Sequence, residues 1–115
     1  QLGLAELHRV ISELSEKARA GKLTQDDLAG GTFTVSNLGM YGIDAFTPVL
    51  NPPQSAILGL GAIREVPVLR NGTALPGHGM ILSLTIDHRV VDGAPGARFL
   101  AAVRALLEQP GRLVV

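Results

Sequence analysis

The sequence contains no cysteine. The chain can therefore form neither a disulfide nor a thiolate metal site, and it has no cysteine nucleophile. Aromatic residues make up only 3% of the chain, so a hydrophobic core has to be built from aliphatic side chains. No stretch approaches the roughly 20 consecutive apolar residues of a membrane helix, and we expect no membrane partner.

Charge is scarce and evenly balanced. Ten basic and ten acidic residues give zero formal net charge, which removes the electrostatic attraction expected of a protein that binds nucleic acid. An apolar chain without net charge favours self-association. The 115 residues correspond to at most one domain. Because the first residue is Gln1 rather than methionine, we expect a fragment, a processed chain or one module of a longer protein.

Hydrophobic periodicity predicts a helix, then several strands, then a second long helix. Apolar residues recur every three or four positions from Leu4 to Ala18, and Gly21 is a natural stop. Strands are predicted at 32–36, at 55–63, where both faces are apolar, and at 80–87, and the final helix at 97–107. This order predicts an α/β (α+β) two-layer sandwich, with a mixed β-sheet and helices on one face.

Three local signals refine this scheme. Asn71-Gly72 between two short apolar runs predicts a hairpin with a type I′ turn, and residues 76–79 then lead into the next strand. Thr24 followed by Asp27 resembles the capping box of a very short helix. Gly59-x-Gly61 leaves one face of the central strand bare for close packing.

The densest cluster of ionisable side chains lies at residues 87–93, Asp-His-Arg-Val-Val-Asp-Gly, in a predicted strand-to-helix corner. His88 is the best candidate for acid-base chemistry, although a lone histidine is more often structural. Asp87 or Asp92 could orient the imidazole, and Asp92 could instead cap the helix. Arg89 is interpreted as an ion-pair partner. A metal site at His88 and Asp92 needs further ligands, and no other histidine has a matching spacing, so we expect no metal.

Ser36 ends the first predicted strand on its polar side. It lacks the Gly-x-Ser-x-Gly context of a hydrolase nucleophile, so a hydrogen-bond donor role suits it better. The glycine pairs in the sequence lack the spacing and the lysine of a phosphate-binding loop. They are interpreted as turn and packing glycines.

Three stretches together resemble the catalytic domain of the dihydrolipoamide acyltransferases. They are residues 30–42, Gly-Gly-Thr-Phe-Thr-Val-Ser-Asn-Leu-Gly-Met-Tyr-Gly, residues 46–54, Phe-Thr-Pro-Val-Leu-Asn-Pro-Pro-Gln, and residues 87–93. Such proteins form the cores of 2-oxoacid dehydrogenase complexes and share a fold with chloramphenicol acetyltransferase. The resemblance identifies residues 1–115 as the C-terminal half of that catalytic domain. The lipoyl and peripheral-subunit-binding domains that the family's proteins also carry are absent from these residues.

The resemblance implies acyl transfer between the thiols of dihydrolipoamide and coenzyme A. His88 would be the general base that deprotonates the attacking thiol, whose ordinary pKa of about 8.5 leaves it mostly protonated at neutral pH. Ser36 would stabilise the oxyanion. Asp92 matches the acid of the His-x-x-x-Asp-Gly signature and would hold the corner in shape. The family's site lies between subunits of a homotrimer, so Ser36 and His88 would come from different chains.

The resemblance also implies partners. Trimers would assemble into a larger core that works with 2-oxoacid decarboxylase and dihydrolipoamide dehydrogenase components, in the bacterial cytoplasm or the mitochondrial matrix. The lipoyl group is carried on a separate domain, and coenzyme A is a substrate. Half of the acceptor channel lies outside these residues, so the piece alone is expected to have little activity and to expose apolar sheet. The acyl group, whether acetyl, succinyl or branched-chain, depends partly on residues outside this half.

Two alternatives differ from this hypothesis. A non-catalytic core homologue would keep the fold and mediate assembly without chemistry, which the presence of both His88 and Ser36 disfavours. A chloramphenicol-type acetyltransferase is disfavoured by the Gly-Gly-Thr-Phe-Thr stretch and by the motif spacing.

Overall fold

The computed structural model describes residues 2–114 and contains three α-helices and five strands. The helices are α1 (Leu4–Arg19), α2 (Gln25–Leu28) and α3 (Gly93–Glu108). The strands are β1 (Thr34–Asn37), β2 (Ala56–Leu60), β3 (Arg64–Arg70), β4 (Thr73–Gly79) and β5 (Leu82–Ile86), and short 3₁₀ helices span Gly39–Tyr41 and Pro110–Val114. Two compact units result, one formed by Thr32–Glu108 and the other by the residues on either side of it. Within residues 2–114, no helix is long and apolar enough to cross a membrane.

The N-terminal helices begin and end where the sequence predicts. Gly21, just after α1, has a φ of 67°, a left-handed conformation that favours glycine. The capping box of α2 is confirmed, because the Thr24 hydroxyl accepts from the Asp27 amide at 3.2 Å and the Asp27 carboxylate accepts from the Thr24 amide at 3.0 Å. Local chemistry therefore accounts for the C-terminus of α1 and for the N-terminus of α2.

A three-stranded mixed sheet forms the centre of the larger unit. Its strand order is β1-β2-β5, with β1 parallel and β5 antiparallel to β2. The predicted central strand is confirmed, since Ile57 and Leu58 of β2 are among the few buried residues. Helix α3 packs against β5, and Gly96 permits this because a Cβ there would lie 3.1 Å from the Ile86 side chain. The mixed sheet with α3 on one face agrees with the predicted two-layer architecture.

A loop, residues 43–54, covers the opposite face of this sheet. The Thr85 hydroxyl donates to the Pro48 carbonyl at 2.7 Å, and the Thr34 hydroxyl donates to the Gln54 side-chain oxygen. Thr34 is therefore half-buried, while the side chain of Val35, on the face that carries α3, is 57% exposed. The Thr34 hydroxyl of β1 and the Thr85 hydroxyl of β5 thus point toward the covered face, where the loop supplies a hydrogen-bond partner for each of them.

Strands β3 and β4 form the predicted hairpin as a separate two-stranded sheet. Asn71 and Gly72 have φ values of 52° and 80°, as a type I′ turn requires. One part of the prediction is wrong, because residues 76–79 are not a lead-in loop but continue β4, and the next strand begins only at Leu82. The extension is possible because a Cβ at Gly77 would overlap the Val68 side chain, so only glycine leaves room for that valine across the ribbon.

Gly61 should be one of the least replaceable residues of the larger unit. The Ala62 amide donates to the Ile43 carbonyl at 2.8 Å, and a Cβ at Gly61 would overlap the Asp44 carbonyl oxygen. Replacing Gly61 by alanine should therefore lower the free energy of unfolding by about 1–3 kcal/mol, the usual cost of overpacking. Denaturant unfolding measures this effect.

The matched control is Gly111→Ala, because a Cβ at Gly111 meets no atom within 4 Å. Equal unfolding midpoints for the two variants would contradict the close packing of the loop on Gly61.

Candidate active site

His88 lies on a tight turn that links β5 to α3. The Asp87 amide donates to the Ser55 carbonyl at 2.8 Å, which continues the β2–β5 pairing by one residue. The Asp87 carbonyl then accepts from the amides of Val90 and Val91 at 2.9 and 2.8 Å. His88 is exposed at the top of this turn. The predicted strand-to-helix corner is therefore present, and backbone hydrogen bonds fix it to the sheet.

The two side chains that flank His88 form an ion pair with each other. The Asp87 carboxylate accepts from Arg89 Nε at 3.0 Å and from Arg89 Nη2 at 2.8 Å, and it also accepts from the Arg89 amide at 3.0 Å. The Asp87 side chain is only 15% exposed, whereas that of Arg89 is 88% exposed. Arg89 is therefore an ion-pair partner, as the sequence suggests. The Asp87 carboxylate therefore accepts its hydrogen bonds from Arg89 rather than from the imidazole.

This pairing should be visible as a pH dependence of Asp87. Hydrogen bonds from the Arg89 side chain and amide lower the pKa of Asp87 from its usual 3.8 to about 2. Because the folded-state pKa is lowered, the pairing stabilises the fold above about pH 4, and this contribution is lost as the pH falls through about 2. A carboxyl-carbon NMR titration should give a midpoint near 2 for Asp87.

The control is Arg89→Gln, which keeps a polar side chain but removes the cation, and it should move the Asp87 midpoint back toward 3.8. A midpoint near 4 in the unsubstituted protein would contradict the pairing.

Asp92 occupies the position just before α3. Its carbonyl accepts from the Gly96 amide at 3.2 Å, so the helix begins at Gly93 rather than at the predicted residue 97. Pro95 fits because a proline is tolerated in the first turn of a helix. The capping role that this position suggests for the Asp92 side chain stays a prediction. The His88 ring lies beside Gly93, where a Cβ would be 3.9 Å from the imidazole Cε1.

Ser36 lies in β1, on the sheet face that the 43–54 loop covers. The strand register places Ser36, Gly59 and Ser83 in one row across the three strands. The ring of Phe46 lies over Gly59, since a Cβ there would be 2.8 Å from the ring Cζ. Gly59 therefore provides the space for a ring beside Ser36, in agreement with the predicted bare face of the central strand.

The chain is tightly held immediately after Ser36. The Leu38 amide donates to the Leu60 carbonyl at 3.1 Å, and the Asn37 side chain accepts from the Gly39 amide at 2.9 Å. A Cβ at Gly39 would lie 2.7 Å from the Gly61 carbonyl oxygen, so the two backbones touch. Ser36 is thus presented from a strand end with little freedom to move.

The structure does not bring Ser36 and His88 together within one chain. Ser36 pairs with Gly59 near the end of β2, whereas the His88 corner is attached to Ser55 just before β2 begins. Four residues of extended chain separate those two levels, roughly 13 Å along the strand direction. A single copy therefore cannot place both side chains on one reacting carbon atom.

The remaining features of this unit lie away from both residues. A cavity of about 750 Å³ between α3 and the strands is lined mostly by apolar residues, together with His78, Arg104 and Glu108. Its lining includes none of Ser36, His88 and Asp92. In the part of the chain that the structure describes, no group of three or more His, Asp or Glu side chains is arranged to hold a metal ion.

Comparison with known proteins gives one consistent family. The family model described as 2-oxoacid dehydrogenases acyltransferase (catalytic domain) matches residues 1–115. The succinyltransferase component of the 2-oxoglutarate dehydrogenase complex of Haemophilus influenzae is 47% identical over the whole chain. The acetyltransferase component of the acetoin cleaving system of Bacillus subtilis is 45% identical. The chain spans only 28% and 29% of these two relatives.

Solved structures give the same result for the fold. The dihydrolipoamide acetyltransferase of Azotobacter vinelandii matches the whole chain with a TM-score of 0.91 and 41% identity, and the cubic core of a pyruvate dehydrogenase multienzyme complex matches with 0.91 and 40%. The chain covers 47% of each of those chains. The chloramphenicol acetyltransferase-like sandwich predicted from the sequence is confirmed by these matches.

Proposed function

Because this chain belongs to the family of 2-oxoacid dehydrogenase acyltransferase catalytic domains, we propose that it contributes half of a site that moves an acyl group between dihydrolipoamide and coenzyme A. Two relatives, 47% and 45% identical, are named a dihydrolipoyllysine-residue succinyltransferase and a dihydrolipoyllysine-residue acetyltransferase, so acyl transfer involving that residue is the chemistry that their names share. Residues 1–115 correspond in this proposal to the C-terminal half of the catalytic domain. The lipoyl and peripheral-subunit-binding domains of the family have no counterpart within residues 1–115.

A match in spacing is the observation that carries the proposal. Crystallographic and enzymatic work on the Azotobacter vinelandii protein concerns a serine, a histidine 52 positions later and an asparagine four positions after that in its catalytic mechanism. Ser36, His88 and Asp92 have the same two separations in this chain. The roles expected of the three residues therefore rest on both the motif and its spacing.

In the proposed reaction His88 acts as the general base. An imidazole nitrogen accepts the proton of the attacking thiol, and the resulting thiolate forms a bond to the carbonyl carbon of the acyl thioester. Collapse of the tetrahedral intermediate breaks the original carbon–sulfur bond. The departing thiolate takes the proton back from the imidazolium, so the base is regenerated. The exposed position of His88 at its corner leaves the imidazole accessible to a thiol.

Ser36 supplies the complementary interaction in this proposal. Its hydroxyl donates a hydrogen bond to the carbonyl oxygen, which becomes negatively charged in the tetrahedral intermediate. A donor that is already fixed in place stabilises this charge without reorganisation. The restraints on the residues just after Ser36, such as the Asn37–Gly39 hydrogen bond, suit that role.

Asp92 is assigned a supporting role rather than a proton-transfer role. The Azotobacter vinelandii protein has an asparagine at the matching separation, and an amide cannot take up a proton as a carboxylate can. Both side chains can accept a hydrogen bond. We therefore assign Asp92 to holding the His88 corner in shape, with its side-chain partner outside the described residues.

The separation of Ser36 and His88 within a chain supports a site between two copies. In a cyclic trimer each interface is heterologous, so one end of the sheet in one copy can meet the other end in its neighbour. The exposed apolar side chains of this unit, among them Val35 and Phe99, are consistent with burial between chains. Trimers would assemble into a larger core, as in the cubic core of the pyruvate dehydrogenase complex that this chain resembles.

Substrates and partners follow from the same proposal. Coenzyme A is a substrate, the lipoyl group arrives on a separate domain, and no metal takes part. A 2-oxoacid decarboxylase and a dihydrolipoamide dehydrogenase complete the complex. Relatives occur in bacteria and in a mitochondrial complex, so the proposed location is the bacterial cytoplasm or the mitochondrial matrix.

An acyl-transfer assay on the full-length protein that carries this sequence tests the function. Acetyl, succinyl and branched-chain coenzyme A esters are offered with dihydrolipoamide, and chloramphenicol serves as the hydroxyl acceptor for comparison. Transfer to dihydrolipoamide from at least one ester, with none to chloramphenicol, is expected. Transfer to the hydroxyl acceptor alone, or to neither acceptor, would contradict the proposal.

A further inference from the structure

We propose that Arg64 is a positioning residue for Ser36, acting through the turn that follows β1. The inference rests on the proposed function, since it concerns the residue assigned to the oxyanion. Arg64 is the first residue of β3 and is 28 positions from Ser36 in the sequence. It is not expected to touch a substrate, so any effect on catalysis has to be transmitted through residues 39–46.

The Arg64 guanidinium fastens this turn at two points. Its Nε donates to the Asp44 carboxylate at 2.7 Å, and its Nη2 donates to the Gly42 carbonyl at 2.9 Å. The planar guanidinium holds both acceptors at once, which fixes their relative orientation as well as their distance. Gly42 has a φ of 76°, so the residue whose carbonyl Arg64 binds has a left-handed conformation that favours glycine.

The turn that Arg64 binds is connected to the surroundings of Ser36 by two routes. Toward the N-terminus, the Gly42 amide donates to the Gly39 carbonyl at 3.0 Å, and the Asn37 side chain holds the Gly39 amide. Toward the C-terminus, the chain continues from Asp44 to Phe46, whose ring lies over Gly59 beside Ser36. A shift at Gly42 would therefore reach Ser36 through the backbone on one side and through an aromatic ring on the other.

Stability alone does not account for this arrangement. The side chains of Arg64 and Asp44 are 54% and 63% exposed, and an exposed ion pair contributes little to the free energy of folding. The bond to the Gly42 carbonyl adds a directional restraint instead. Catalytic donors need such restraint, because a misplacement of about 1 Å can cost as much as 100-fold in rate.

A double-mutant cycle in the assembled full-length protein tests the proposal. Arg64→Ala should lower kcat for acyl transfer about tenfold, with KM changed less than about twofold, because a misdirected donor affects the transition state more than substrate binding. In a Ser36→Ala background the same change should cost less than about twofold, since no donor remains to be misdirected.

Arg64→Gln serves as the second variant if the alanine variant assembles poorly. The matched control is Arg70→Ala, at the hairpin end of the same strand, which should leave kcat unchanged.

The outcomes separate this inference from the proposed function. An equal loss of kcat in both backgrounds, or no loss for Arg64→Ala and Arg64→Gln while Ser36→Ala is impaired, would overturn the positioning role and leave the acyltransferase proposal standing. Absence of transfer in the unsubstituted protein would instead overturn the proposed function. Loss that depends on the presence of Ser36 supports Arg64 as its positioning residue.

Discussion

Replacement of His88 by alanine should abolish most of the acyl transfer. A positioned general base contributes roughly 10²- to 10⁴-fold to a rate, and thiols with a pKa of about 8.5 are mostly protonated at neutral pH. We therefore expect kcat to fall by about 10³-fold, within the range for a lost general base. Steady-state assays with acyl coenzyme A and dihydrolipoamide measure the loss.

His78→Ala is the matched control for His88, because His78 is an exposed histidine on β4 and no role in transfer is assigned to it. Both variants should assemble normally, and light scattering should give each of them the particle mass of the unsubstituted protein. Normal transfer by the His88 variant would contradict the proposed base, and it would favour a core homologue that only mediates assembly.

Replacement of Ser36 by alanine should lower kcat by roughly 10²- to 10³-fold, as removal of one oxyanion donor does elsewhere. KM should change little, because the hydroxyl is proposed to bind the developing oxyanion more strongly than the ground-state carbonyl. The same assay resolves kcat from KM.

Ser83→Ala is the matched control for this change. Ser83 lies in the same row as Ser36, beyond Gly59, and is also half-buried, so it reproduces the loss of a hydroxyl from the same face. Equal kcat values for the two variants would contradict a specific role for Ser36. A rise in KM alone would indicate that Ser36 binds the substrate uniformly.

Features governed by local chemistry were predictable from the sequence. The type I′ turn at Asn71-Gly72 and the capping box of α2 require specific residue types at fixed separations, and both are present. The central position of β2 follows from its apolar character on both faces. The strand-to-helix corner at His88 was also predictable, because the spacing of apolar residues changes there from the period of a strand to that of a helix.

Features that depend on contacts distant in sequence were not predictable. The inward direction of the Thr34 hydroxyl depends on a loop that approaches from residues 43–54, and nothing in the alternation of β1 indicates which face that loop covers. The ion pair between Arg64 and Asp44 joins residues twenty positions apart, with no periodic signal. The continuation of β4 through Gly77 depends on a valine in the partner strand.

The candidate site combines both kinds of feature. Sequence spacing identified Ser36 and His88 as polar side chains at element ends, and the resemblance assigned them roles. The opposite placement of the two residues along β2 appears only in the strand register. Chain topology therefore provides an independent reason to place the site between two copies.

Complementation between inactive subunits tests this central claim most directly. Full-length Ser36→Ala and His88→Ala chains are produced in equal amounts in one cell, and the purified assemblies are assayed for acyl transfer. In a cyclic trimer every mixed ring contains one interface with both residues intact, so random mixing should restore about one quarter of the unsubstituted activity. Each variant produced alone should be nearly inactive. Co-produced assemblies with no more activity than the single variants, despite proven mixing by mass spectrometry, would contradict a site shared between chains.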